Sequence, residues 1–133
     1  MSVERGANDP PPLKQRTKLF ALRVIRLYNT LPPRPDAQVI GKQLLRAGTS
    51  VGANYREGMR ARSSAEMIAK FGICIQELEE SAYWMELLVE AELVSDTALA
   101  QLLDETNQLI AILTASVKQI ARTQSKRRGY GNE

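Results

Sequence analysis

The stretch from Ala37 to Arg62 restricts what this chain can fold into more than any other part of it. Ile40, Leu44, Ala47, Val51, Asn54 and Gly58 recur every three or four positions. At roughly 100° per residue that spacing draws one stripe along a single long helix. Yet Gly48, Thr49, Ser50, Val51 and Gly52, all poor helix formers, stand in its middle. Gln43, Arg46, Ser50 and Glu57 fall along one flank of the stripe, and Leu45, Gly48, Gly52, Tyr55 and Met59 along the other. Each interior glycine costs about 1 kcal/mol relative to alanine, so a neighbouring helix brought unusually close is the expected compensation. The rival reading is a phosphate-binding loop, because GTSVGANY superficially resembles one. That reading fails on three counts: there is no terminal lysine, no preceding strand, and no helix that the segment would cap.

The remaining segments repeat the helical period, and none alternates with the two-residue period of a strand. A first helix is predicted from about Leu13 to Thr30, with Phe20, Val24, Leu27 and Leu31 as its stripe. LPPRPD at 31–36 must stop it, since proline lacks a donor and disfavours helix in the residue before it. Asp36 is the predicted cap of the second helix, 37–62. Ser63 and Glu66 form a capping box for a third helix, to about Leu93, with Met67, Phe71, Leu78, Ala82, Met85 and Val89 inward. Ser95 and Asp96 start a fourth, to about Arg122, carrying Leu99, Leu102, Leu103, Leu109, Leu113, Val117 and Ile120. The resulting expectation is an all-α, antiparallel up-down-up-down four-helix bundle over residues 13–123. A proline-rich N-terminal tail, 1–12, and a basic C-terminal tail, 124–133, are expected to be disordered or flexible.

Several chemistries are excluded by what is missing. Histidine is absent and Cys74 is the single cysteine, so neither a disulfide framework nor a Cys/His metal site can be assembled. The N-terminal MSVERGANDPPPLKQ lacks the apolar core of a signal peptide, and no later run reaches the length of a membrane span. A cytoplasmic protein without a membrane partner, metal or cofactor is the expectation. Helix 2 places Asn54 at the centre of its stripe, where a buried amide needs a partner across the bundle or across a subunit contact. Arg46, Ser50, Asn54 and Glu57 then form a polar ladder, and Glu77 and Glu80 lie on a second stripe of helix 3 where they can receive an arginine. Without a nucleophile–base pair or a metal set, this ladder reads as structural rather than catalytic. Tyr83, Trp84 and Leu87 beside an already complete core stripe point to a subunit interface.

Charge is distributed in blocks. Residues 1–70 carry 13 Lys/Arg against 5 Asp/Glu, residues 71–117 carry 0 against 9, and residues 118–133 carry 5 against 1. Basic and acidic helices can neutralise each other within an assembly, or a basic face can be left free for a polyanion. The candidate phosphate contacts are Arg16, Arg23 and Arg26 on helix 1, Lys42, Arg56 and Arg60 on helix 2, and Lys126, Arg127 and Arg128 at the end of the chain. No aromatic residue interleaves with them, so nonspecific backbone binding of RNA or DNA is the most they support. The competing function is a protein–protein adaptor that presents this patch or the acidic Glu79, Glu86 and Glu90.

FALRVIRLYNTLP, IGKQLLRAGTSVGANYREGMRARSSAEMIAKF and IQELEESAYWMELLVEAELV together resemble one family over about residues 18–120. It comprises the bacterial four-helix-bundle proteins encoded in intervening sequences of 23S ribosomal RNA genes, and it includes the accessory variability proteins of diversity-generating retroelements. The resemblance implies a cytoplasmic homopentamer with no assigned catalysis. In the retroelement branch the pentamer binds a reverse transcriptase and nucleic acid, whereas the intact RAGTSVGANYREG is closer to the intervening-sequence branch. The family's characteristic polar positions fall on Arg46, Asn54, Glu57 and Glu80.

Overall fold

The computed structural model describes residues 11–131, and in it four helices follow one another: α1 (Leu13–Thr30), α2 (Pro35–Met59), α3 (Ser64–Glu90) and α4 (Asp96–Gly131). No strand occurs among the described residues. Helix α1 has the predicted bounds, and its stop comes from the prolines of 32–35. Helix α2 begins earlier than expected. Pro35 occupies the first turn, where its missing N–H costs nothing, and Arg34 rather than Asp36 is the capping position. Asp36 lies inside the first turn, its Oδ1 accepting the Ala37 N–H at 2.9 Å. The helix ends at Met59, short of Arg62.

The box before α3 forms with a shifted return bond. Ser63 Oγ accepts from the Glu66 N–H at 3.1 Å, whereas Glu66 Oε2 accepts from the N–H of Arg62 at 3.3 Å rather than from that of Ser63. Helix α3 stops at Glu90, with Glu92 in the left-handed region at φ 60°. The Leu93 N–H reaches Leu88 O and the Glu92 N–H reaches Val89 O, each at 2.9 Å, and Leu93 and Leu88 are both buried in the core. That is a Schellman ending, with glutamate where glycine is usual. Ser95 Oγ caps α4 through the Ala98 N–H. Helix α4 then runs to Gly131, so residues 124–131 of the predicted tail continue a helix. Adding residues to an existing helix requires no new nucleus, and the lysine and arginines near its end suit the helix dipole. The predicted N-terminal tail lies outside the described residues except for Pro11 and Pro12.

Neighbouring helices in the chain are neighbours in space, and α1 also meets α4 along a sparser seam. Along α2, Gly41 meets Tyr28 and Leu31, Gly48 meets Val24, and Gly52 meets Thr17. Residue numbers therefore fall on α1 as they rise on α2. Between the four helices lie Phe20, Val24, Leu44, Val51, Leu78, Met85, Leu88, Leu109 and Leu113, all buried. Leu27, Met67, Val89, Leu103, Val117 and Ile120, expected inside, are partly buried against this core. Thr17, Ser81 and Thr106 are buried too, each hydroxyl donating to the carbonyl four residues back, so no hydroxyl is left unpaired.

The two predictions about the interior of α2 have different outcomes. The glycines do create a thin flank. A Cβ on Gly48 would sit 2.9 Å from Val24 Cγ2, and one on Gly52 would sit 3.3 Å from Thr17 Oγ1. Asn54 is not at the centre of the core. It is half-buried and donates from Nδ2 to Ser50 O at 2.9 Å, within its own helix. Because α1 comes in over the glycines, the buried arc of α2 is rotated toward Gly41, Gly48, Gly52 and Tyr55, and Asn54 is left at its edge.

Candidate nucleic-acid interface

The polar residues on the α2/α3 side do not form one ladder. Arg46 spans the seam, its Nη1 donating to Glu77 Oε2 at 3.3 Å and its Nη2 to Glu80 Oε1, while Nε lies 3.4 Å from Gln43 Oε1. This is the arginine that the acidic stripe of helix 3 called for. Hydrogen bonding to Glu80, with the attraction of both carboxylates, raises the Arg46 pKa further above its already high ordinary value. Glu57 pairs instead with Lys70 at 2.9 Å, and Ser50 donates to Ala47 O within α2. Cys74 is buried against Val51 O, and burial pushes its thiol up to about 11, so it stays protonated and unreactive at neutral pH. On the outer side of α3, Tyr83 is 52% exposed and packs edge-on to half-buried Trp84, whose Nε1 donates to Glu80. Leu87 is half-buried beside them.

The candidate cations are divided among five places. Arg16 faces inward, making a bidentate pair with Glu105 at 2.8 and 2.7 Å and a further bond to Gln108, with 13% of its side chain exposed. It fastens α1 to α4 along their sparse seam and has little left for a phosphate. Arg23 and Arg26 border a shallow groove with Leu99 and Leu102 of α4. Lys42 lies in the first half of α2, exposed and apart from the others. Lys126, Arg127 and Arg128 are exposed on the last turns of α4.

Arg56 and Arg60 alone of the helix 2 and helix 1 candidates become part of a cluster. The start of α1 crosses the end of α2, so Lys14 and Lys18 come up beside them. One surface depression is lined by Lys14, Tyr55, Arg56, Met59 and Arg60, and an adjoining one by Pro12, Lys14, Gln15, Lys18 and Arg56. Neither lining contains a carboxylate, and among the described residues none of these four cations is in an ion pair. Lys14 and Lys18 were not singled out from sequence. They belong to the general basic excess of the first half of the chain, and only the crossing of α1 over α2 brings them beside Arg56 and Arg60.

Tyr55 and Met59 also line a larger open cavity at the same end of the bundle, of about 540 Å³. Its floor is Leu13, Met67, Phe71 and Ile120, with Phe71 stacked on Tyr55 at 5.3 Å between ring centroids. Burial of the Tyr55 phenol raises its pKa. The rim is polar, with Gln119, Thr123, Gln124 and Arg127 contributed by the C-terminal part of α4.

Comparison with known proteins agrees with this architecture. A crystal structure described as a protein of unknown function from the S23 ribosomal protein family of Bacteroides thetaiotaomicron is 34% identical and superposes with a TM-score of 0.76. The alignment covers 80% of this chain and 99% of that one. A search of the curated proteins gives no match. No described helix is long and apolar enough to cross a membrane. The family described as 23S rRNA-intervening sequence protein matches residues 13–115, most of the helical region, and the chain belongs to that family.

Proposed function

We propose that this protein is a non-catalytic, cytoplasmic assembly that holds nucleic acid by its phosphates at the basic end of the bundle. The observation that carries the reading is the gathering of Lys14, Lys18, Arg56 and Arg60, from two helices, around depressions lined by no carboxylate. Such a cluster attracts a polyanion without reading sequence, because phosphate contacts position a strand and base edges specify it. The way residue numbers run against each other on α1 and α2 supports the up-down-up-down arrangement. Exposed Tyr83 and half-buried Trp84 and Leu87 support self-association through α3, and the family resemblance supports a homopentamer as its form. Five copies of a modest basic patch bind far more tightly than one, through effective concentration. The buried, protonated thiol of Cys74 supports a role without covalent catalysis.

The expected result is retention on heparin and a shift of labelled RNA or DNA at low salt. Replacing all four cations by alanine should abolish both. The logarithm of affinity should fall linearly with the logarithm of salt, with a slope of about −0.7 to −0.9 for each phosphate contacted. Absence of retention and shift even at low salt overturns the reading. A monomer at micromolar concentration in light scattering overturns self-association through Trp84.

A second reading, a protein–protein adaptor, is favoured by one specific observation. Exposed Tyr83 and Ile73 stand on the same helix as the acidic Glu79, Glu86 and Glu90, all outward. A reverse transcriptase encoded beside this chain would identify the partner as the one the retroelement branch uses, and a location inside a ribosomal RNA gene would argue for the other branch.

A further inference from the structure

From the adjoining cavity we infer that the basic end of the bundle takes unpaired nucleotides: the strand's phosphates lie on Lys14, Arg56 and Arg60 while one base enters the 540 Å³ cavity. The inference rests on the phosphate-binding reading and adds the class of nucleic acid to it. Tyr55 and Met59 line both the basic depression and the cavity, so the two are one continuous site rather than two. A volume of about 540 Å³ lies within the range of sites for small organic ligands. Its lining suits a base better than an acyl chain. Met67, Phe71 and Ile120 form an apolar floor for a ring, but Gln119, Gln124 and Arg127 at the rim offer donors and acceptors that a hydrocarbon cannot use and a base edge can. Cations at the mouth match the phosphate that every base carries with it. A base paired inside a duplex cannot enter, because its edge is occupied and its faces are stacked, so the cavity selects single strands or loops.

The test compares three RNAs of one length on the full chain at one salt concentration: a single strand, the same sequence as a duplex, and a single strand lacking its bases. The base-bearing strand should bind about tenfold tighter than either of the others, in line with the affinity that one accommodated base supplies. Gln119→Trp, at an exposed position of α4, should fill the cavity and bring the base-bearing strand down to the duplex value while leaving duplex and heparin binding unchanged. Thr123→Trp, also exposed, repeats the test if the first variant loses helicity. Equal binding of base-bearing and abasic strands, or a preference that survives a filled cavity, overturns the inference and leaves phosphate binding standing. No binding of any of the three overturns both.

Discussion

Where α2 meets α1, Gly41, Gly48 and Gly52 let the backbones approach until side chains of α1 rest on the bare helix, and among the described residues no ion pair joins the two. Where the same helix meets α3, a close glycine contact recurs only at the end, where Gly58 meets Phe71, and the rest of the seam is held partly at its surface, by Arg46 on Glu77 and Glu80 and by Lys70 on Glu57. Between these ionic contacts lie Val51, Cys74 and Leu78, all fully buried. The difference is one of tolerance. A glycine contact is a hard-wall arrangement, in which a single added methyl group has nowhere to go. An exposed ion pair is soft, since water and salt replace much of what is lost when one partner is removed.

Gly48→Ala should therefore give the largest effect. Its methyl group would stand 2.9 and 3.1 Å from the two γ-carbons of Val24, a fully buried residue with no room to retreat. A loss of about 1–3 kcal/mol is expected in urea unfolding, net of the gain in helix propensity. Combining it with Val24→Ala should cost less than the two single changes added together, because the second makes space for the first. Strict additivity would show that the close approach is not what the glycine serves. Gly72 supplies the control. It lies on the exposed face of α3 with nothing within 4 Å of an added Cβ. Gly72→Ala should raise stability by about 1 kcal/mol, the propensity difference alone. If both alanines destabilise alike, the loss at Gly48 does not come from packing against Val24.

How far the sequence revealed this can be judged from the same residues. Gly48 and Gly52 were legible because glycine inside a helical stripe carries a cost that needs a reason, and close packing is the commonest one. The pairing of Arg46 with α3 was legible because acids on an apolar stripe need a cation. Asn54 was misplaced for a related reason: a hydropathy wheel centres the core on large apolar side chains, whereas here the centre is displaced by glycines, which carry no such signal. Residues 124–131 were misjudged because they lack an apolar stripe, which a helix extending past its bundle does not need. Within the candidate interface, Arg56 and Arg60 could be found from their shared face. Lys14, Lys18 and the cavity could not, because they depend on which helix ends come together.

At the soft seam, Arg46→Ala should lower stability by only about 0.5 kcal/mol. Half of the arginine side chain is in water, which limits what the pair contributes. Part of the loss is the repulsion then left between Glu77 and Glu80, three residues apart on one helix face. The deficit should shrink as salt is raised, since screening weakens both the lost attraction and the exposed repulsion. A loss as large as that of Gly48→Ala, insensitive to salt, would mean that the two seams are held in the same way.

The smallest effect belongs to Glu57 and Lys70, and pH reveals it. Hydrogen bonding to Lys70, with the attraction of its charge, holds the Glu57 carboxyl below its ordinary 4.5, and the same bond raises Lys70 above its ordinary 10.5. A depressed carboxyl contributes stability that is present above its unfolded pKa and lost as pH falls through the folded one. A raised ammonium contributes stability that is present below its unfolded pKa and lost as pH rises through the folded one. The pair should thus contribute a constant, small amount between about pH 5 and pH 10, fading at both ends. Glu57→Gln removes it throughout. The stability difference between wild type and this variant should accordingly be flat across neutral pH and narrow below 4.5, and a difference that widens in acid would show that Glu57 is held by something other than Lys70.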